Sequence, residues 1–306
     1  MKSSKRFYIA LGVVVVAGLT LRIAYAVIWK WDQRIWGDAL YYHEQGHALA
    51  EGLGFIDPYR WRFFGEIVPN AEHPPVYSIF VAGAWLVGAT SFHSHMIANC
   101  ILGALTVAMI GLIGREVAGN RAGIIAAAVA AVYANLFVHD ALVTSESITG
   151  LAIAVMVLMA YKFWRTPNLW TAGFFGLATG IAVLTRAEVA LIIPLVALPI
   201  VLRVRGADVR RKLALGGLVV AMTAVPVLPW VYRNMTTFEH PVTLSTGGDT
   251  TLANTNCDQT YHGDFLGWFY LPCGGTDRSA EHSQWALDQR EKGLDYIRSH
   301  SSRLPV

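Results

Sequence analysis

Eight predominantly apolar runs, 16 to 23 residues long, recur along this 306-residue chain: 7 to 29, 75 to 90, 96 to 114, 121 to 138, 146 to 162, 168 to 185, 188 to 203 and 213 to 231. Crossing the hydrocarbon of a bilayer takes roughly 20 such residues in a helix. The runs therefore restrict the fold to an all-α polytopic membrane protein. Only 15% of residues are charged, 54% are apolar and mean hydropathy is +0.43, which excludes a disordered chain and an ordinary cytosolic enzyme. A formal net charge of +3 is too balanced for a nucleic-acid partner.

Charge placement orients the spans, because Lys and Arg favour cytoplasmic connections. Lys2, Lys5 and Arg6 put the N-terminus inside. Three connections are basic: Arg115 with Arg121, Lys162 with Arg165, and Arg203, Arg205, Arg210, Arg211 and Lys212 together. If 75 to 90 crossed, Arg115 and Arg121 would fall outside. Reading that short run, which follows a polar stretch at Pro74-Pro75, as a juxtamembrane helix in the outer interface removes the conflict. Seven spans remain, with the C-terminus external. The inner face then carries 12 basic residues against Glu116 and Asp208, a net +10, and the rest of the chain carries −7. Lys2 to Arg6, an apolar stretch and Ala24-Tyr25-Ala26 resemble a secretory signal. Arg22 interrupts that stretch and the run reaches Trp29, so the first span is expected to be retained.

Residues 1 to 231 thus form a transmembrane module with a large external loop, 30 to 95, followed by an external C-terminal region, 232 to 306. The loop holds Trp31, Trp36, Tyr41, Tyr42, Trp61, Phe63 and Phe64, aromatics suited to the headgroup layer. Helical spacing over 38 to 51 ends at Gly52-Leu53-Gly54. The C-terminal region reads as Thr-, Gly- and Asn-rich turns from 243 to 263, then a charged helix from Ala280 to Ser299. Cys257 and Cys273 share it, and an oxidising compartment would join them, whereas Cys100 lies in an apolar run.

Asp38, in Trp36-Gly37-Asp38-Ala39-Leu40-Tyr41-Tyr42, is a carboxylate at the bilayer surface or simply an N-cap. Glu72-His73-Pro74-Pro75 offers a carboxylate and an imidazole for base, phosphate or metal chemistry, or a first-turn Glu favoured by the helix dipole. Glu146, Arg186 and Glu188 fall at the outer ends of spans, where charges face a polar site or pair to fasten helices. Arg22, inside the first span, is another candidate for such a pair. Arg233-Asn234 would hold a phosphate or anchor a helix end. His93-Ser94-His95 and Gly247-Gly248 read more readily as turns than as a metal or phosphate site, and Asn234-Met235-Thr236 has the sequon pattern. Asp38, Glu72, His73, Glu146, Arg186 and Arg233 all map to the outer face.

These pieces, with Gly52-Leu53-Gly54-Phe55, Ser145-Glu146, Leu184-Thr185-Arg186 and Pro229-Trp230, resemble in order and spacing the membrane glycosyltransferases of the GT-C superfamily. In particular they resemble bacterial relatives of protein O-mannosyltransferases and of the lipid A aminoarabinose transferase, which are glycosyltransferase family 39-like. The resemblance implies a bacterial plasma-membrane enzyme moving a sugar from a polyprenyl-phosphate donor to a glycan, lipid or protein acceptor, with inversion. Asp38 would be the general base, and Arg186 and Arg233 would hold the donor phosphate. Glu72, His73, Glu146 and Tyr42 would position substrates. No cofactor is required, although Glu72 and His73 would be the ligands in relatives that use a divalent metal. Related chains run past a stretch like Gly293 to His300 into further spans, which implies a truncated product, a fragment or a second chain supplying them. Two rival readings are a transporter, which would gather charges near the midplane, and an inactive partner subunit on the same fold.

Overall fold

Within lipid a backbone must satisfy its own hydrogen bonds, and the apolar runs are accordingly helical. The computed structural model describes residues 2–204, 208–275 and 280–303, so Arg205 of the third basic connection and Val306 lie outside the described residues. Among them the one strand-like pairing is an isolated bridge between Ile56 and Pro69.

The first span is α1 (Lys2–Tyr25), prolonged by a π turn over Ala26–Lys30. The external loop contributes α2 (Asp38–Ala50), α3 (Pro58–Phe64) and α4 (Pro75–Leu86). Then come α5 (Phe92–Val132), α6 (Ala134–Asp140), α7 (Glu146–Arg165) and α8 (Leu169–Val183). The next apolar run is broken into a 3₁₀ turn (Ala187–Leu191), a π turn (Ile193–Ala197) and α9 (Leu198–Leu202), because Pro194 and Pro199 each lack a backbone donor. It leads to α10 (Val209–Thr237). The C-terminal region holds α11 (Gly247–Thr255), α12 (Asp258–Tyr261) and α13 (His282–Ser299).

Among the described residues four helices, Ser4–Lys30, Phe92–Val132, Glu146–Arg165 and Val209–Thr237, are long and apolar enough to cross a membrane. The 41 residues of α5 would reach about 60 Å if straight, twice the bilayer core. They do not run straight. Ala118 (φ −140°) and Gly119 (φ +85°) break the helix, and the halves fold back on each other so closely that a Cβ on Gly123 would meet the Gly111 carbonyl at 2.6 Å. By contrast α4, with 12 residues, spans only about 18 Å and lies along α2, where Gly46 abuts Val81.

Helix α1 packs on α5, α5 on α7, α7 on α8 and α8 on α10. At the last contact Gly176 and Gly180 let the backbones approach, since Cβ atoms there would come within 2.9 Å of Met222 and 2.6 Å of Pro226. Phe163, Phe175, Leu215 and Val219 fill this core. A second core, built from Tyr41, Tyr42, Tyr77, Val81, Met96 and Cys100, joins the external helices to α5.

The basic connections share one end. Arg115 lies over the rings of Phe7 and Tyr8 and donates to Ser4 Oγ at 3.3 Å; Glu116 pairs with Arg165 at 3.6 Å; Arg211 donates to the Pro167 carbonyl at 3.2 Å.

Two expectations need correction. The stretch 243 to 263 is largely helical rather than turns, because α11 buries Thr250, Ala253 and Asn254 and packs along α13. His93 and His95 belong to the first turn of α5, capped by Ser91, not to an interfacial turn. Helix α13, capped by Glu281, begins at His282 and ends at Ser299, close to the helix expected from about Ala280 to Ser299.

Candidate active site

Helix α2 begins at Asp38, but the cap position is Gly37, whose φ of +59° Gly adopts without strain. Asp38 is thus no N-cap. Tyr59 fixes the turn by donating its hydroxyl to the Gly37 carbonyl at 2.8 Å, and the Asp38 side chain is left 62% exposed. Across from it stands His73, with Nε2 3.9 Å from Asp38 Oδ1. The prolines that follow His73 start α4 and hold the imidazole against α2. Its ring packs on Tyr41 (4.7 Å) and Tyr42 (4.9 Å), the next turn of that helix.

Tyr42 is the centre of the cluster. Its hydroxyl hydrogen-bonds Ser145, its ring meets Tyr77 edge-on at 4.7 Å, and it lies within electrostatic reach of Asp38, Arg186 and Glu146. Burial pushes its phenol far above the usual range, and likewise that of Tyr41, so both stay protonated. Beside Ser145, Glu146 Oε1 accepts from Arg186 Nη1 at 2.7 Å, while Glu188 Oε1 accepts from Arg186 Nε at 2.6 Å. Both partners of the Glu146–Arg186 pair are more than a third exposed. The Arg186 segment is tied to the first turn of α4 by the Val76 amide, which donates to the Leu184 carbonyl at 3.2 Å.

The strap, residues 70 to 73, is gripped from several sides. Tyr41 Oη–H (2.9 Å) and the Glu72 amide (2.7 Å) both donate to Asn70 Oδ1. The Thr246 amide donates to the Ala71 carbonyl at 2.9 Å and the Gly247 amide to the Glu72 carbonyl at 3.1 Å. His282 Nε2 lies 2.9 Å from Thr246 Oγ1 and accepts from the Ala71 amide at 3.3 Å. Gly247 is therefore a contact point and not a phosphate loop, and a Cβ there would stand 2.7 Å from the Glu72 carbonyl.

Arg233 belongs to the same grip. Its Nη1 donates to the Asn70 carbonyl (3.0 Å) and Asn234 Oδ1 (2.9 Å), its Nη2 to the Phe55 carbonyl (2.7 Å), and its guanidinium lies over Trp230, Phe238 and Phe55. Both terminal nitrogens of Arg233, the residue expected to hold the donor phosphate, thus engage the strap and its neighbours. Asn234 of the sequon is fully buried, with Nδ2 donating to the Thr243 carbonyl. Arg22 is paired elsewhere: Nε donates to Asp140 Oδ2 at 2.7 Å and Nη1 to the Ala131 and Gly18 carbonyls. His93 stacks on Trp31, and His95 meets His43 of α2, Nδ1 to Nδ1, at 3.1 Å. Cys257 and Cys273 form a disulfide 6.1 Å between Cα atoms, and Cys100 is a buried free thiol. Among the described residues no three His, Cys, Asp or Glu side chains gather to hold a metal.

The structure therefore brings together Asp38, Tyr42, His73, Glu146, Arg186 and the Glu72 backbone, at the end opposite the basic connections. Sequence reasoning missed Asn70, Asp140 and His282. Residues 72–230 match the family described as dolichyl-phosphate-mannose-protein mannosyltransferase. The chain belongs to this family. It is an integral membrane protein and a glycosyltransferase of the mannosyltransferase type, and the match runs from the strap, through Glu146 and Arg186, to Trp230 beside Arg233. No curated protein matches the chain.

Proposed function

We propose that this family member transfers a sugar from a polyprenyl-phosphate donor to a hydroxyl of a glycan, lipid or protein acceptor, inverting the anomeric carbon. The observation that carries the reading is an exposed carboxylate, Asp38, set against His73, with Tyr42 within electrostatic reach of both Asp38 and the Arg186 guanidinium. Base and cation stand on one surface, as attack and departure at a single carbon require.

The acceptor hydroxyl attacks the anomeric carbon from the face opposite the phosphate. Its proton passes to an Asp38 oxygen, the new carbon–oxygen bond forms, and the bond to the phosphate oxygen breaks with its electron pair leaving on the polyprenyl phosphate. Arg186 meets the charge that develops there. Glu146 and Glu188 hold the guanidinium by Nη1 and Nε, so that its plane is fixed before substrate arrives while Nη2 stays outside both bonds. Glu188 is 62% exposed, where solvent and salt screen its repulsion of a phosphate. His73 orients Asp38, Tyr42 separates the two halves, and Glu72 and Glu146 position acceptor and donor.

The topology in this reading has seven crossings: α1, the two halves of α5, the second with α6, then α7, α8, the 187 to 202 segment and α10. The basic end faces the cytoplasm of a bacterial cell and the site faces outward. The test uses purified protein in lipid nanodiscs. Transfer from a polyprenyl-phosphate sugar but not from a nucleotide sugar, with the opposite anomeric configuration in the product by NMR, is expected. Retention of configuration would overturn the mechanism.

A further inference from the structure

We propose that Asn70, which belongs to none of the recognisable motifs, is the positioning residue that sets the distance between Asp38 and His73; the role assigned rests on the reaction proposed above. Asn70 is 1% exposed and sits where four segments meet. Its Oδ1 accepts Tyr41 Oη–H at 2.9 Å and the Glu72 amide at 2.7 Å. Its own amide donates to the Phe55 carbonyl at 3.1 Å, and its carbonyl accepts Arg233 Nη1 at 3.0 Å.

The two donors on Oδ1 come from opposite sides of the site. Tyr41 lies three residues beyond Asp38, one turn along the same helix, and Glu72 immediately precedes His73. One oxygen atom therefore ties the element carrying the carboxylate to the strap carrying the imidazole. The Tyr41 bond is buried and the Glu72 bond partly so, and a buried partner that is lost leaves a polar group unsatisfied. Arg233 holds the same residue from behind and bonds Phe55 as well, so the junction cannot slide without breaking a charge-assisted bond. Asn70 Nδ2 has no hydrogen-bond partner among the described residues, so the working atom is the acceptor oxygen. Asp can supply that acceptor; Ala cannot.

The experiment compares full-length variants in nanodiscs with a polyprenyl-phosphate mannose donor. Asn70→Ala is expected to lower kcat roughly 10- to 100-fold while donor KM moves less than about threefold. Asn70→Asp restores most of the rate, and adding Tyr41→Phe to Asn70→Ala costs little more, because Asn70→Ala has already removed the Tyr41–Asn70 bond. Hydrogen exchange over 70 to 73 speeds up in Asn70→Ala while α8 and α10 exchange as in the parent protein. A native kcat with unchanged strap exchange, or an Asn70→Asp variant no better than Asn70→Ala, overturns the proposal. If Asn70→Ala does not fold, Tyr41→Phe, which removes a single oxygen, decides by the same two readouts. Should Asp38→Asn transfer as fast as the parent, the proposed base falls, and strap exchange still decides the role of Asn70.

Discussion

His43 shows how single residues in this loop depend on pH. His95 Nε2 lies 2.8 Å from the Ala89 carbonyl, which can only accept, so neutral His95 offers a lone pair at Nδ1 and His43 donates to it. Burial pushes the His43 imidazole down to about 4, and His95, His47 and Arg62 add to the effect. A base whose folded value is lowered is neutral in the native state. Its contribution is whole above the ordinary value near 6.5 and is lost as pH falls from there toward 4. The thermal unfolding midpoint of purified protein should therefore decline over that interval, and His43→Gln should flatten the decline. At this scale the chain's own pattern is only partly legible. Asp38 and Glu72-His73 stand out because charges beside apolar runs are conspicuous. Asn70 does not, since an uncharged polar residue in a loop looks like any other until its long-range partner is known.

Elements are fastened by groups that local periodicity cannot pair. Arg22 of α1 and Asp140 of α6 are almost wholly buried and 2.7 Å apart, with Gly103 of α5 leaving the space they occupy. The guanidinium's need for a counter-charge was readable from Arg22 alone. Its partner was not, because 118 positions separate the two. Breaking such a pair strands one buried charge at a cost of about 3–5 kcal/mol, whereas replacing both members with apolar residues is close to neutral. Asp140→Ala should lower thermal stability sharply in a scan monitored by tryptophan fluorescence. Arg22→Met with Asp140→Leu should recover most of the loss, and failure to recover would mean that the pair does more than join α1 to α6. The helical hairpin of α5 was legible from the charges at Arg115 and Arg121. The helix over Gly247 to Thr255 was not, because its stability comes from packing on α13 and not from its Gly- and Thr-rich sequence.

For the molecule as a whole, a net charge of +3 conceals a strong division, with basic connections at one end and the Asp38 cluster at the other. The proposed orientation follows from that division and makes a direct prediction. A cysteine at Ala118, exposed in the turn of the α5 hairpin, should react with an impermeant maleimide only after cells are opened, and one at Trp268, exposed in the C-terminal region, should react in intact cells. The opposite pattern would reverse the topology. The central claim is that the outer cluster is a catalytic site with Asp38 as its base, and a purified transfer assay with a polyprenyl-phosphate sugar tests it most directly. Asp38→Asn keeps the shape and removes the base, so the rate should fall by roughly 10²- to 10⁴-fold with the thermal midpoint unchanged. Transfer by Asp38→Asn at the parent rate would contradict the account.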